Sequence, residues 1–435
     1  MRPTLLLAVV LSVLLCRSAG AQTRPDSLAA DSAAVPVAVE QAAVAATEVA
    51  DDVERFRVRP IFSAGALYSG SRGVGVGGGV AMSSVVRRGD HLQIEGRLAQ
   101  RVVGAFGSYQ TGEPERATLF TLVGASVLSS SRFPYAGTGP RADPDGQLFL
   151  DRFEAEAEAR VAWQPAGLGG PLVQPFVQVR TDELRGFSER DSGATAFVAV
   201  RDLAELAALT GDRRAIVSLG LGVQSDSRDN EGRPTRGAYL QGSASRAFAV
   251  DGSGLRFNRA EFTGYLFRPA PFRLPLQPER GAVFLRAVAA ITREDVGAGG
   301  LPLFYLPVLD RDLLIGWPAR TFVGRDALSL GVGARGVVVR RLAAFRVEGT
   351  VLGMVGAAYD DVFTEFTMRV STSRESPAED AAVPLRPSVG IGINLHYRDR
   401  ERPLVGALLG VGPDGITVTS FRLVVRLDRY QPSVR

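Results

Sequence analysis

The residues best placed to do chemistry form one polar knot, Asp226-Ser227-Arg228-Asp229-Asn230, followed by Pro234 and Gly237. Two carboxylates beside a guanidinium can hold a metal ion or trade a proton. The same set can also neutralise itself, the acids pairing with Arg228 while Pro234 and Gly237 set the backbone of a turn. His91 and His396 are the only histidines, and each stands near an acid, Asp90 or Asp399. A Ser-His-Asp hydrolase would need one of them with a nucleophilic serine, and neither has a serine in a nucleophile motif nearby. Zinc lacks ligands, since Cys16 is the sole cysteine. Residues 73–79 (GVGVGGG) have the glycines of a phosphate loop without the Lys and helix that make one work. Tyr359-Asp360-Asp361 and Glu365 offer oxygens to a cation or simply make a solvated loop. The sequence therefore predicts no catalytic residue, no cofactor, no metal and no enzyme.

The elements around these residues are strands. Segment after segment alternates apolar with polar or small residues, the pattern of a sheet with two unlike faces. The clearest is 149–163, where Glu154, Glu156 and Glu158 fall on one face and Phe153, Ala155, Ala157 and Ala159 on the other. Three acids in a row suit a water-filled lumen with an apolar outer face. The remaining strands are predicted at 56–68, 74–86, 92–103, 117–128, 173–180, 195–201, 215–224, 238–248, 255–267, 282–292, 327–339, 345–355, 388–397, 404–411 and 416–427. Residues 203–209 read equally as a short helix, and 129–147 and 356–387 as long connections. The fold class is all-β, a transmembrane antiparallel barrel of roughly sixteen strands. No blade-length repeat supports a propeller. Tyr68, Tyr109, Tyr135, Tyr239, Tyr265, Tyr305 and Tyr397 stand at or near strand ends, as interfacial girdles require.

Residues 1–21 have the basic start, apolar run and small-residue end of a cleaved secretory signal. Residues 22–55, rich in Ala and Val, form a low-complexity periplasmic lead-in, and 56–435 the barrel. Every one of the fifty Lys and Arg residues is Arg, scattered along the chain, and the net charge is only +4. No electrostatic footprint for nucleic acid emerges.

The hairpin turn Asp226-Ser227-Arg228-Asp229-Asn230…Pro234-Thr235-Arg236-Gly237 resembles the Asp-Thr/Ser-Arg-Asp-Asn…Pro-x-x-Gly turn of the bacterial surface antigen barrels. These are the membrane domains of the BamA/TamA family of outer-membrane assembly and translocation proteins. Residues 301–335 resemble the long loop that folds back into the lumen in that family, three strands after the turn. The family loop carries Val/Leu-Arg-Gly-Phe/Tyr, whose Arg pairs with acids on the inner wall. Here Leu314-Ile315-Gly316-Trp317 stands in that place, with Ile315 for the Arg and Arg311, Arg320 or Arg325 as substitutes for its charge. Residues 22–55 have no room for a POTRA domain, and the chain ends without the usual terminal aromatic. The resemblance implies a Gram-negative outer-membrane barrel, surrounded by lipid and lipopolysaccharide, that assembles or translocates proteins. Its partners would be unfolded outer-membrane proteins or periplasmic proteins, and residues 301–325 would gate its lumen. The alternative is a passive channel or structural barrel that has lost the assembly role.

Overall fold

The structure is a computed structural model. It describes residues 59–69, 73–86, 89–112, 117–135, 148–167, 170–189, 200–230, 233–270, 281–295, 301–309, 314–317, 322–342, 344–373, 382–397, 403–412 and 415–426. The signal, the lead-in, Arg311, Arg320, Asp399 and the C-terminal tail lie outside these residues.

The strands are β1 (Arg59–Ser69), β2 (Gly73–Ser83), β3 (His91–Ala99), β4 (Val102–Thr111), β5 (Leu119–Tyr135), β6 (Leu148–Trp163), β7 (Leu172–Glu189), β8 (Arg213–Asp226), β9 (Gly237–Ala249), β10 (Arg256–Pro269) and β11 (Ala282–Glu294). After two short strands, β12 (Val308–Leu309) and β13 (Phe322–Val323), come β14 (Asp326–Leu342), β15 (Phe345–Tyr359), β16 (Phe366–Val370), β17 (Val383–Tyr397), β18 (Val405–Gly412) and β19 (Gly415–Arg426). Neighbours in sequence pair antiparallel around one sheet, and β1 closes it on β19, Ser63 opposite Arg426 and Ser69 opposite Ser420. Of the seventeen strands in that sheet, β16 lies outside the ring, parallel to β17, because β15 pairs directly with β17. The wall is a closed barrel of sixteen strands. Its height is uneven: β7 has 18 residues, whereas β18, two strands from the closure, has 8. The rim where the chain enters β1 is called the near rim below, and the opposite one the far rim.

Alternation sorts the side chains. Along β17, Ser388, Gly390 and Gly392 are buried, while Val389, Ile391 and Ile393 are about half exposed. On β2, Gly73 and Gly75 face in and Val74 and Val76 face out. Val177, Val179, Leu219, Leu221, Leu330, Val332 and Val351 continue an outward apolar band, the surface a bilayer requires. The glycine run at 73–79 is therefore strand, not phosphate loop, and on β2 a Cβ at Gly79 would lie 2.5 Å from the Ile94 carbonyl oxygen of β3. Ile391→Arg is expected to lower barrel stability by about 2–4 kcal/mol, as a cation near the middle of a lipid face does. Urea unfolding in vesicles checks it, with Ile391→Val as the near-neutral control.

The expected strand total holds, but through two compensating errors. Residues 92–103 are not one strand. Gln100 and Arg101 make a tight turn between β3 and β4, and the segment 102–111 is a full wall strand that sequence reading missed. Conversely, β7 pairs directly with β8, leaving no place in the wall for a strand at 195–201. Val200 and Arg201 instead open helix α1 (Val200–Leu209); the rest of that segment lies outside the described residues. The connection predicted from 129 starts later, because β5 runs on to Tyr135.

Candidate functional site

The segment between β11 and β14 makes its own small framework. A 3-10 turn (Leu303–Tyr305) is followed by β12, which pairs antiparallel with β13 as the base of a small hairpin. The motif Leu314-Ile315-Gly316-Trp317 sits within that hairpin and is wholly buried, Leu314 and Ile315 at 1% exposure and Trp317 at 3%. What buries it is the inward face of the wall. Ile315 packs with Leu352 and Met354 of β15, and Phe284 and Leu408 border the cluster. Gly316 has φ +91°, and a Cβ there would lie 2.6 Å from the Val411 carbonyl carbon. The wall reciprocates: a Cβ on Gly410 or Gly412 of β18 would collide with the Gly316 backbone, and one on Gly390 would lie 2.9 Å from Ile315 Cδ1. Turn and wall thus meet backbone to backbone, which only glycine on both sides permits. Trp317 donates from Nε1 to the Pro387 carbonyl at 3.0 Å, stacks edge-on with Phe322 at 5.1 Å, and lies under the Arg386 guanidinium.

A second anchor lies on the other side of the ring. Arg180 of β7 donates to the Phe304 carbonyl at 3.1 Å, and Arg259 of β10 to the Tyr305 carbonyl at 3.2 Å. Arg152 stacks over the Phe304 ring at 5.0 Å and Arg180 over Tyr305 at 5.4 Å. These arginines are held by wall acids. Asp182, fully buried, accepts from Arg152 Nε at 3.0 Å and Arg180 Nε at 2.7 Å, and Glu154 pairs with Arg152 at 2.7 Å. Glu156 accepts from Gln178 at 3.0 Å, and Glu158 pairs with Arg160. The acidic face read from the sequence is thus an inward face, with Glu154 and Glu158 paired to arginines on the same wall and Glu156 to Gln178. Apolar packing completes the anchor: α1 brings Leu206 and Leu209 against Leu148, Leu150, Leu184 and Phe304.

The loop motif itself carries no charge. Ile315 meets an apolar patch, while the cations sit on the wall and reach loop carbonyls. Of the arginines offered as substitutes, Arg325 pairs with Glu294 at 3.4 Å, and Arg311 and Arg320 lie outside the described residues. Sequence reading missed Phe304, Tyr305, Arg152, Arg180 and Arg259. The available signal was parity: Arg152 and Glu154 share a face of β6, and Arg180 and Asp182 share one of β7.

The turn between β8 and β9 is an electrostatic knot at the near rim. Arg228 donates to both oxygens of Asp226, at 2.8 and 2.5 Å, and lies over Tyr239. Asp229 accepts from the Thr235 and Arg236 amides at 2.8 and 3.1 Å and from the Thr235 hydroxyl, while Asn230 accepts from the Arg233 amide at 2.7 Å. Gly237 has φ +95°, and a Cβ there would strike Ser227. The turn also reaches across the opening: Arg233 pairs with Glu348 of β15 at 2.7 Å, and Arg335 of β14 donates to the Pro234 carbonyl. The Thr235 hydroxyl and the flanking amides hold the Asp229 carboxyl at about 2. A folded pKa below the unfolded one, roughly 3.9, adds stability that is complete above pH 4 and lost as pH falls through 2. Asp229→Ala should accordingly speed amide exchange at Thr235 and Arg236 at neutral pH, measured by mass spectrometry, whereas wild type keeps that protection to below pH 4.

The other candidates are dispersed. His91 is on β3, its Nδ1 3.2 Å from Ser83 Oγ, and His396 is buried on β17, with four wall strands between them. Asp90 accepts from the Tyr109 hydroxyl. Asp361 caps helix α2 (Val362–Glu365) and pairs with Arg293 at 3.0 Å, and Glu365 accepts from the Asp360 amide at 2.9 Å. Tyr239 and Tyr265 point inward and pack together at 6.4 Å rather than joining an outer girdle. Among the described residues, no three His, Cys, Asp or Glu side chains converge as metal ligands.

No protein-family model matches the chain, nor does any curated protein. Solved structures do. BamA from Haemophilus ducreyi, lacking POTRA domains 1–3, superposes with a TM-score of 0.57 at 13% identity, over 85% of this chain and 71% of that one. CdiB from Escherichia coli superposes with a TM-score of 0.51 at 10% identity, over 85% of this chain and 63% of that one. This chain thus spans less than two thirds of CdiB. At these identities the likeness is one of fold, the fold expected from the turn and loop motifs.

Proposed function

We propose that this chain, a sixteen-stranded barrel with the fold of BamA and CdiB, works in the outer membrane in the assembly or translocation of proteins, with residues 301–325 gating its lumen. One observation carries the reading. The loop is fastened at two places, Ile315-Gly316-Trp317 on β15, β17 and β18 and Phe304-Tyr305 under Arg180 and Arg259, and neither contact is part of a wall ladder. A loop so held can leave its seat without unpairing any strand of the barrel. The β19–β1 and β17–β18 pairings, seven aligned residue pairs each, make that stretch the cheapest part of the wall to part sideways, since fewer ladder bonds join them than in the other described wall pairings. Export by a cleaved signal and contact with unfolded outer-membrane proteins or periplasmic proteins belong to the same reading, with lipid and lipopolysaccharide around the wall.

The decisive experiment is depletion of the protein followed by a census of other outer-membrane barrels. A selective fall in some of them is expected; unchanged levels of all would sink the assembly role. A passive or structural barrel is the second reading, supported by the apolar seat of Ile315, which binds the loop with no charge to exchange. Under that reading the census stays flat while deleting residues 301–325 still raises the conductance of the reconstituted barrel.

A further inference from the structure

The outward face of β8 to β11 near the far rim holds a feature that the loop and the wall pairing do not use. Register aligns Leu219, Arg246, Asn258 and Arg293 in one row across the four strands, all on the outer face, as the exposure of Leu219, Leu240, Phe262 and Leu285 shows. The next row toward the near rim reads Leu221, Ala244, Ala260 and Ile291. Two alanines between larger apolar side chains leave a shallow groove of about 570 Å³, lined on this face by both rows. A barrel wall in lipid has no need of such a groove, and guanidinium donors directly above an apolar floor suit a ligand with an anionic head and an apolar tail.

The surrounding charges decide what that is. Arg293 is engaged by Asp326, at 2.6 and 2.9 Å, and by Asp361. Among the described residues Arg246 gives a single hydrogen bond, Nη2 to Asp295 at 2.6 Å; it stacks over Phe248 and is half exposed. Arg256 opens β10 beside them and is exposed, its carbonyl accepting from the Asp295 amide. Two of the three acids are taken up by Arg293, and Arg246, with one of its donors on Asp295, keeps the others for a ligand beside Asn258 near the far rim.

We propose that this groove binds a phosphorylated, multi-acyl glycolipid of the outer leaflet, with its phosphate on Arg246 and Asn258 and an acyl chain lying over Ala244 and Ala260. The proposal rests on the outer-membrane reading above and names the lipid that this reading places around the wall. Guanidinium and carboxamide donors match phosphate oxygens, and the alanine floor admits a chain that bulkier side chains would exclude.

The test is native mass spectrometry of the full chain in detergent, with bisphosphorylated lipid A or the same glycolipid dephosphorylated as the probe. Wild type should retain the phosphorylated form about tenfold better, the effect of one or two charge-assisted hydrogen bonds. Arg246→Gln should abolish that preference and leave binding of the dephosphorylated form unchanged. Ala260→Leu, which fills the floor without touching a charge, should weaken both. Equal retention of the two forms by wild type, or no change in either variant, overturns the site. Displacement of the glycolipid by millimolar inorganic phosphate would make it a free-anion site and overturn the lipid. A flat census after depletion leaves these binding results standing, so the two readings fail separately.

Discussion

Gly316→Val is expected to unseat the loop turn, raise the conductance of the reconstituted barrel several-fold and expose residues 301–325 to protease, with the barrel itself still folded. Two costs act together. The position has φ +91°, where a β-branched residue costs of order 1–3 kcal/mol. The new Cβ would also stand 2.6 Å from the Val411 carbonyl carbon, an atom of the wall backbone that cannot turn aside as a side chain could. Opposing these is the burial of Ile315 and Trp317, each worth roughly 1.5–3 kcal/mol. Once the glycine contact is lost, the two side chains can no longer both reach their places. No wall ladder includes residue 316, so heat-modifiable gel migration should be unchanged. Single-channel recording and limited proteolysis read the two effects directly. Unaltered conductance together with unaltered cleavage would mean that this contact does not hold the loop.

Much of the barrel could be read from the sequence because a wall strand is defined by neighbours two residues away. Period-two alternation placed β6 and its acids correctly, and the turn of Asp226 to Gly237 marked the point from which three strands lead to the loop. Tight turns without Gly or Pro were harder. Gln100-Arg101 carries no turn residue, so β3 and β4 merged into one predicted strand. The helical stripe of Leu203, Leu206 and Leu209 is short, and its meaning depends on Leu148, Leu184 and Phe304, which come from elements remote in sequence. The site divides in the same way. Gly316 and Trp317 were visible as a motif, but their complement, Gly390, Gly410 and Gly412, looks like ordinary strand glycine until the chain is folded.

The absence of charge in the loop motif follows from what its seat must hold. An arginine at position 315 would need acids opposite it, yet the residues there are Leu352, Met354 and Gly390, and a cation buried among them would go uncompensated. Apolar seat and apolar side chain are one adaptation. The polar grip lies on β7 and β10, where Arg180 and Arg259 reach backbone carbonyls that no loop substitution can remove, with Arg152 of β6 stacked on the Phe304 ring. Loop and wall therefore keep two unlike contacts, one steric and one of charge-assisted hydrogen bonds from arginines paired within the wall, and salt should loosen only the second, where Arg180 and Arg259 are partly exposed.

The Arg180 half of that anchor depends chiefly on Asp182, whereas Arg259 is held by Glu261. Asp182→Asn should lower the unfolding free energy of the barrel by about 3–5 kcal/mol, the usual result of removing one member of a buried ion pair. Asp182 is wholly buried between Arg152, itself 5% exposed, and Arg180, and it accepts hydrogen bonds from both. The amide keeps the shape but offers a single acceptor oxygen and no charge, leaving Glu154 alone to balance two guanidiniums. Arg180 then has less to hold it under the Phe304 carbonyl, so the loop should loosen at this end while Trp317 stays seated. The chain has two tryptophans, Trp317 in the seat and Trp163 on the outer face. Fluorescence of a Trp163→Phe background therefore follows the seat, while denaturant unfolding by circular dichroism follows the wall. Replacing the pair together, Arg152→Met with Asp182→Leu, should recover much of the loss, since an apolar pair of similar volume carries no unmet charge. A single Asp182→Asn change within about 1 kcal/mol of wild type, the size of an exposed pair, would show that water reaches this cluster and that the grip on Phe304 is held by packing with α1 instead.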